Sequence, residues 1–78
     1  MQLDIISPES NIFSGEANYV GVPGVDGSLG ILNGHAPMIS TLKKGEILIR
    51  LADGTETTVQ VNGGVLEVLK NKVIILAE

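Results

Sequence analysis

Apolar and polar side chains alternate at a two-residue period through much of this chain. The cleanest stretch is Glu46 to Leu51, which places Ile47, Ile49 and Leu51 on one side and Glu46, Leu48 and Arg50 on the other. That is the period of a strand with one buried face. Thr55 to Val61 answers it across Asp53-Gly54, with Thr57, Val59 and Val61 on one side. Leu3 to Ile6 predicts a first strand ended by Ser7-Pro8, and Glu16 to Val22 a second, with Val20 and Val22 sharing a face. Ser28 to Leu32, Met38 to Leu42, Val65 to Lys70 and Lys72 to Ala77 complete the set. The run Val73-Ile74-Ile75-Leu76 lacks alternation, which predicts a strand covered on both faces. No window sustains the 3.6-residue apolar pattern of a helix.

Turn chemistry separates these segments. Pro23-Gly24, Asp26-Gly27, Asn33-Gly34, Lys44-Gly45, Asp53-Gly54 and Asn62-Gly63-Gly64 supply residues that tolerate the positive φ of tight reversals. Val, Ile and Thr make up 21 of 78 residues. These β-branched side chains suit a pleated surface. Short strands between regular turns predict a β-sandwich or barrel, in a single domain spanning 1–78.

Composition narrows the function classes. The net charge is −4, and the five basic residues, Lys43, Lys44, Arg50, Lys70 and Lys72, are scattered. That is too little positive charge to track a phosphate backbone, so no nucleic acid partner is expected. The absence of cysteine excludes disulfides and thiolate metal sites, and a single histidine argues against a histidine-based one. No apolar run is long enough to span a membrane, and MQLDIISPES lacks the basic start and apolar core of a signal peptide. We expect a reducing, cytosolic-type compartment. Apolar residues make up 44% of a chain with room for only a modest core. Some of that surface is expected to be completed by a partner.

The stretch GSLGILNGHAPMIS, residues 27–40, concentrates glycine and the sole histidine. It could be a phosphate loop, a catalytic site or a docking edge. A phosphate loop needs GxxxxGK followed by Ser or Thr. Lys43-Lys44-Gly45 has the wrong order, and the dinucleotide fingerprint GxGxxG is absent. A catalytic His35 needs a nucleophile, and no GxSxG elbow surrounds Ser28 or Ser40. His35 instead reads as a corner or interface residue. Most carboxylates fall at turns or on solvated strand faces, and Asp26 stays open as a contact residue. A biotinyl- or lipoyl-type carrier domain is a further small all-β alternative, with Lys43 or Lys72 as the modified lysine. Neither Met-Lys-Met nor Asp-Lys-Ala is present.

The string VGVPGVDGSLGILNGHAP, residues 20–37, resembles the N-terminal domain of the epsilon subunit of the rotary F-type ATP synthase. LDIISPE at 3–9, FSGE at 13–16, LKKG at 42–45, NGGVLEV at 62–68 and NKVIILA at 71–77 resemble the same family in order and spacing. Departures are Asn33 in place of a usual proline, Lys44 in place of the proline of a Pro-Gly turn, and Val65 in place of a common phenylalanine. Ser28 stands where some members carry an acidic residue, and Asp26 could partly replace that charge.

The resemblance implies an all-β, flattened sandwich of two antiparallel sheets, with about eight to ten short strands. It implies a non-catalytic rotor subunit with no cofactor, metal or catalytic residue. The implied partners are the gamma subunit, the polar loops of the c-ring and, indirectly, the alpha/beta catalytic head, without direct lipid insertion. It implies that Asp26, Gly27, Ser28 and Leu29 face the c-ring, and that Ser7, His35, Met38 and Ser40 lie near gamma. The implied location is the cytoplasmic face of the plasma membrane, or the stromal or matrix face in an organelle. Many family members continue into a C-terminal helical hairpin that inhibits ATP hydrolysis, and this chain ends at Glu78, so no hairpin-based inhibition or nucleotide binding is expected.

Overall fold

The turn residues reverse the chain where their chemistry permits. A computed structural model describes all residues, 1–78. Its eight strands are β1 (Gln2–Ile6), β2 (Asn11–Gly24), β3 (Gly27–Leu32), β4 (Met38–Leu42), β5 (Gly45–Leu51), β6 (Glu56–Val61), β7 (Gly64–Leu69) and β8 (Lys72–Ala77). Gly27, Gly34, Gly54, Gly63 and Gly64 all take positive φ. Lys70 and Asn71 do too, at 51° and 60°, so the β7–β8 hairpin closes on a two-residue turn with both central residues left-handed. The strand thus ends at Leu69, and Lys70 belongs to the turn.

β2 joins the two layers. Its first half, up to Glu16, pairs with β1, and its second half pairs with β5 on one side and β3 on the other. A register shift between Ala17 and Tyr19 marks the changeover. One layer runs β4-β7-β8-β1 and the first half of β2; the other runs β3, the second half of β2, β5 and β6. All pairings are antiparallel except β1 with β8, which are parallel. Those two strands are the first and last of the chain, so no tight turn constrains their direction.

The core lies between the layers and is wholly apolar. Sixteen residues form it, among them Leu3, Ile5, Val20, Ile31, Ile47, Ile49, Leu66, Val73 and Ile75, all at 0% exposure. No polar side chain is buried. Each such Leu, Ile or Val contributes about 1.5–3 kcal/mol of burial free energy.

Two sequence-based expectations need correction. β2 begins at Asn11, not Glu16. Asn11, Ser14 and Gly15 carry no apolar alternation, and β1 rather than burial holds that half in the sheet. The run from Val73 to Leu76 is not covered on both faces. Val73 and Ile75 point into the core, Ile74 is half-buried, and Leu76 is 47% exposed. The outer neighbours of β8 are themselves apolar, which masks the alternation: Leu76 stands in register with Val65 on β7 and Ile6 on β1.

Candidate interaction surface

The glycine-rich stretch forms the β2–β3 hairpin and the corner after it. Gly24 pairs with Gly27 around Val25 and Asp26, giving a two-residue reversal. A β-carbon on Gly24 would lie 2.6 Å from the Gly27 carbonyl oxygen, so the two backbones meet as only glycine allows. The hairpin is fastened at two points, to β4 and to the turn that follows it. The Val25 N–H donates to the Thr41 carbonyl at 3.0 Å, and the Lys43 N–H donates to the Pro23 carbonyl at 2.8 Å.

This fastening brings six of the eight candidate contact residues together. Asp26, Gly27, Ser28 and Leu29 share a groove of about 210 Å³ with Met38 and Ser40 of β4. Asp26, Gly27 and Ser28 are exposed, whereas Leu29 and Met38 also pack on the core. His35 lies outside the groove, at the corner after Asn33-Gly34. Its N–H donates to the Leu32 carbonyl at 3.2 Å, and its Nδ1 lies 2.7 Å from the Ala36 carbonyl oxygen. A carbonyl only accepts, so this contact selects the tautomer protonated at Nδ1.

Ser7 stands apart. It follows Ile6, whose register runs through Leu76 to Val65 and Thr41, whereas Met38 is in register with Val68 and Val73 at the other end of the sheet. The Ser7 N–H and hydroxyl both donate to the Ser10 carbonyl, at 2.8 and 3.2 Å. Ser7 therefore braces the β1–β2 turn.

The other end of the layers is tied through the start of the chain. The Met1 amine donates to the Ala17 carbonyl at 3.0 Å and to the Asn33 side-chain oxygen, and it lies 3.3 Å from a Glu16 carboxylate oxygen. The Gly34 N–H donates to Asn71 Oδ1 at 2.9 Å. Asn33 thus makes a contact that proline could not. The lysines of the carrier alternative are placed differently from each other. Lys43 is exposed in the β4–β5 turn, whereas Lys72 is paired in the ladder opposite Gln2 and Leu69, where it closes the two-residue β7–β8 turn.

Sequence reasoning missed a set of exposed apolar residues on the outer face of the first layer. Ile6, Ile12, Val65, Leu76, Ile39 and Leu69 are each between 36% and 75% exposed. Thr41, Val65, Leu76 and Ile6 form one cross-strand row. Each looks unremarkable in its own strand, and only the register assembles them. No helix of the structure is long and apolar enough to cross a membrane.

Residues 1–78 match the family model described as the ATP synthase delta/epsilon chain β-sandwich domain. The chain is 46% identical over 78 residues to the ATP synthase epsilon chain of Delftia acidovorans, and it spans 56% of that protein. It is 46% identical over 76 residues to the epsilon chain of Chlorobaculum tepidum, of which it spans 86%. Among solved structures it superposes on a chain of the Euglena gracilis mitochondrial ATP synthase with a TM-score of 0.90, at 21% identity, covering 96% of this chain and 48% of that one. The central stalk and c-ring structure of the Tetrahymena thermophila enzyme gives a TM-score of 0.84 at 18% identity, covering 99% of this chain and 62% of that one. At these identities the structural likeness speaks to the fold.

Proposed function

From the premise that this chain belongs to the β-sandwich domain family of ATP synthase delta and epsilon chains, we propose that it is a non-catalytic rotor subunit of an F-type ATP synthase. In this reading it stands between the c-ring and gamma, and ion-driven rotation of the ring passes through it to gamma and the alpha/beta head. It works at the cytoplasmic face of the plasma membrane, or at the matrix or stromal face of an organelle.

The observation that carries the proposal is the match of the family across residues 1–78, with relatives near 46% identity called epsilon chains. The physical demands of the role are stiffness and surface complementarity. An apolar core between two layers, short strands and a hairpin latched to β4 supply stiffness. The exposed apolar row on the first layer supplies surface that a partner can cover. Asp26, Gly27, Ser28 and Leu29 are proposed to meet the polar loops of the c-ring. His35, Met38, Ser40 and Ser7 are proposed to lie near gamma.

The test is co-elution of the purified chain with an alpha–beta–gamma head, and separately with alpha and beta alone. Stoichiometric binding that requires gamma supports the reading. No binding at micromolar concentration rejects it.

A further inference from the structure

Two Asn-Gly pairs stand at turns, Asn33-Gly34 and Asn62-Gly63. This dipeptide can react with itself. The glycine nitrogen attacks the asparagine side-chain carbonyl, because no β-carbon shields that nitrogen. Asn11, Asn18 and Asn71 precede Ile12, Tyr19 and Lys72, whose side chains crowd the same approach. Sequence puts the two pairs on an equal footing, and the fold separates them.

At Asn33-Gly34 both reacting groups are engaged. The Gly34 N–H donates to Asn71 Oδ1 at 2.9 Å, and Asn33 Oδ1 accepts from the Met1 amine. At Asn62-Gly63 the attacking nitrogen is free: the Gly63 N–H donates to no backbone carbonyl. Asn62 is exposed to the water that the reaction consumes. The joint is tied through other groups. The Gly63 carbonyl accepts from the Glu78 N–H at 3.0 Å, and the Asn62 N–H donates to the Glu78 carbonyl at 3.4 Å. Neither bond uses the nitrogen that attacks.

We propose that Asn62-Gly63 is a self-modifying site, at which the folded chain converts Asn62 to isoaspartate and aspartate. The Gly63 nitrogen bonds to Asn62 Cγ, its proton passes to the departing side-chain nitrogen, and the Cγ–Nδ2 bond breaks to release ammonia. The product is a cyclic imide, which water opens at either carbonyl. Opening at the Asn62 α-carbonyl routes the chain through the side chain, as isoaspartate. Opening at Cγ leaves aspartate. The net change is one water taken up and one ammonia lost.

The position gives this change a consequence. Asn62 and Gly63 are the whole connection between β6 in one layer and β7 in the other. Val61 is in register with Gly45, and Gly64 with Leu42 and Ala77, so the joint is fixed on both sides. Isoaspartate adds a backbone atom to it. Either product also places a carboxylate next to Glu78, which is bonded to the joint, and like charges repel. The connection between the layers should loosen as the protein ages.

Folded protein, and protein unfolded in urea, held at mildly alkaline pH test this. Products are counted by peptide mass spectrometry and by enzymatic methylation of isoaspartate. In urea the two pairs should react at similar rates. In the fold Asn62 should react at least about tenfold faster than Asn33, where hydrogen bonds must break first. Asn71→Gly keeps the positive φ of the turn and removes the acceptor of Gly34, so it should speed Asn33 about fivefold and leave Asn62 unchanged. Aged protein should melt several degrees below fresh protein, and Asn62→Gln should hold its midpoint over the same period. Equal rates at Asn33 and Asn62 in the fold overturn the proposal. So does an Asn62 that reacts more than about tenfold slower folded than in urea. Modified protein that melts like fresh protein overturns the loosening of the joint.

Discussion

The Tyr19 ring lies across Gly30 so closely that a β-carbon there would meet the ring hydroxyl and Cε1 at 2.9 Å. Gly21, paired with Gly30 across β2 and β3, carries the same ring at 3.1 Å. The Arg50 guanidinium stands 5.2 Å from the ring centroid, and Arg50 also bonds Glu56 at 2.9 Å. The glycines are a floor for the ring, and the arginine holds it from the neighbouring strand.

Gly30→Ala should therefore force the ring off its floor. The expected cost is about 1–3 kcal/mol, typical of overpacking, which lowers the melting midpoint by several degrees in a domain this size. Tyr19→Ala removes the obstructing ring, so the same glycine change should cost much less in that background. A double-mutant cycle of thermal melts reads the coupling. Strict additivity would show that the ring does not require glycine.

Gly64 makes a harder demand. Its φ is +146°, and a β-carbon there would collide with the Leu76 carbonyl oxygen on the adjacent strand. Neither backbone can yield without breaking the β7–β8 ladder. Gly54 has φ +90° but open space around it. Gly54→Ala should cost about 1–2 kcal/mol from backbone strain alone, whereas Gly64→Ala should cost more than 3 kcal/mol or prevent folding. Soluble yield and urea midpoints separate the two. Similar values would show that the collision relaxes.

These two cases mark how far a sequence read alone could reach. Turns and strands were legible because local chemistry sets them: Asp53-Gly54 closes a hairpin wherever it stands, and Ile47 and Ile49 face inward by parity. The polar first half of β2 was not, because its place depends on β1. The pairing of Ile39 with Glu67 was invisible for the same reason. Ile39 and Glu67 are far apart in the chain and meet only through the register of β4 with β7. Of the residues expected to act together, Asp26 to Leu29, Met38 and Ser40 do share a groove, while Ser7 follows β1 and is separated from β4 by the width of β7 and β8.

Acid should weaken the fold through two aspartates, the half-buried Asp4 and the exposed Asp53. The Ser14 hydroxyl donates to Asp4 at 2.6 Å, and with smaller help from Gln2 and Lys72 it holds the Asp4 carboxyl below its ordinary value near 3.8, against a smaller opposing effect of desolvation. Asp53 is lowered likewise by the Thr55 hydroxyl and N–H. A carboxylate with a depressed folded value binds fewer protons folded than unfolded. Its contribution is therefore present above the ordinary value and is lost as pH falls through the folded one. The melting midpoint should drop on moving from about pH 5 to about pH 2, and the Asp4→Asn/Asp53→Asn double variant should drop less. Parallel profiles for parent and variant would refute the assignment.

At the hairpin tip, contact with a partner and stability of the fold are separable. Asp26 is exposed, and the tip it occupies is held by backbone bonds from Val25 to Thr41 and from Lys43 to Pro23. Neither bond uses the Asp26 side chain, so Asp26→Lys should melt like the parent. If the tip meets the polar loops of the c-ring, reversing its charge should weaken that contact by about 1 kcal/mol, or roughly fivefold. Binding to the alpha–beta–gamma head should stay within about twofold of the parent, because that contact is proposed at His35, Met38, Ser40 and Ser7 and does not use the Asp26 side chain. Ion-driven ATP synthesis in vesicles reconstituted with the full complex should then fall while head binding holds. Val25→Pro is the complementary change: it removes the N–H that latches the hairpin to β4. It should lower the melting midpoint and ATP synthesis together. Unchanged synthesis with Asp26→Lys would place the ring contact elsewhere on the sandwich, and loss of head binding with the same variant would show that the hairpin tip and the residues proposed near gamma serve a single interface.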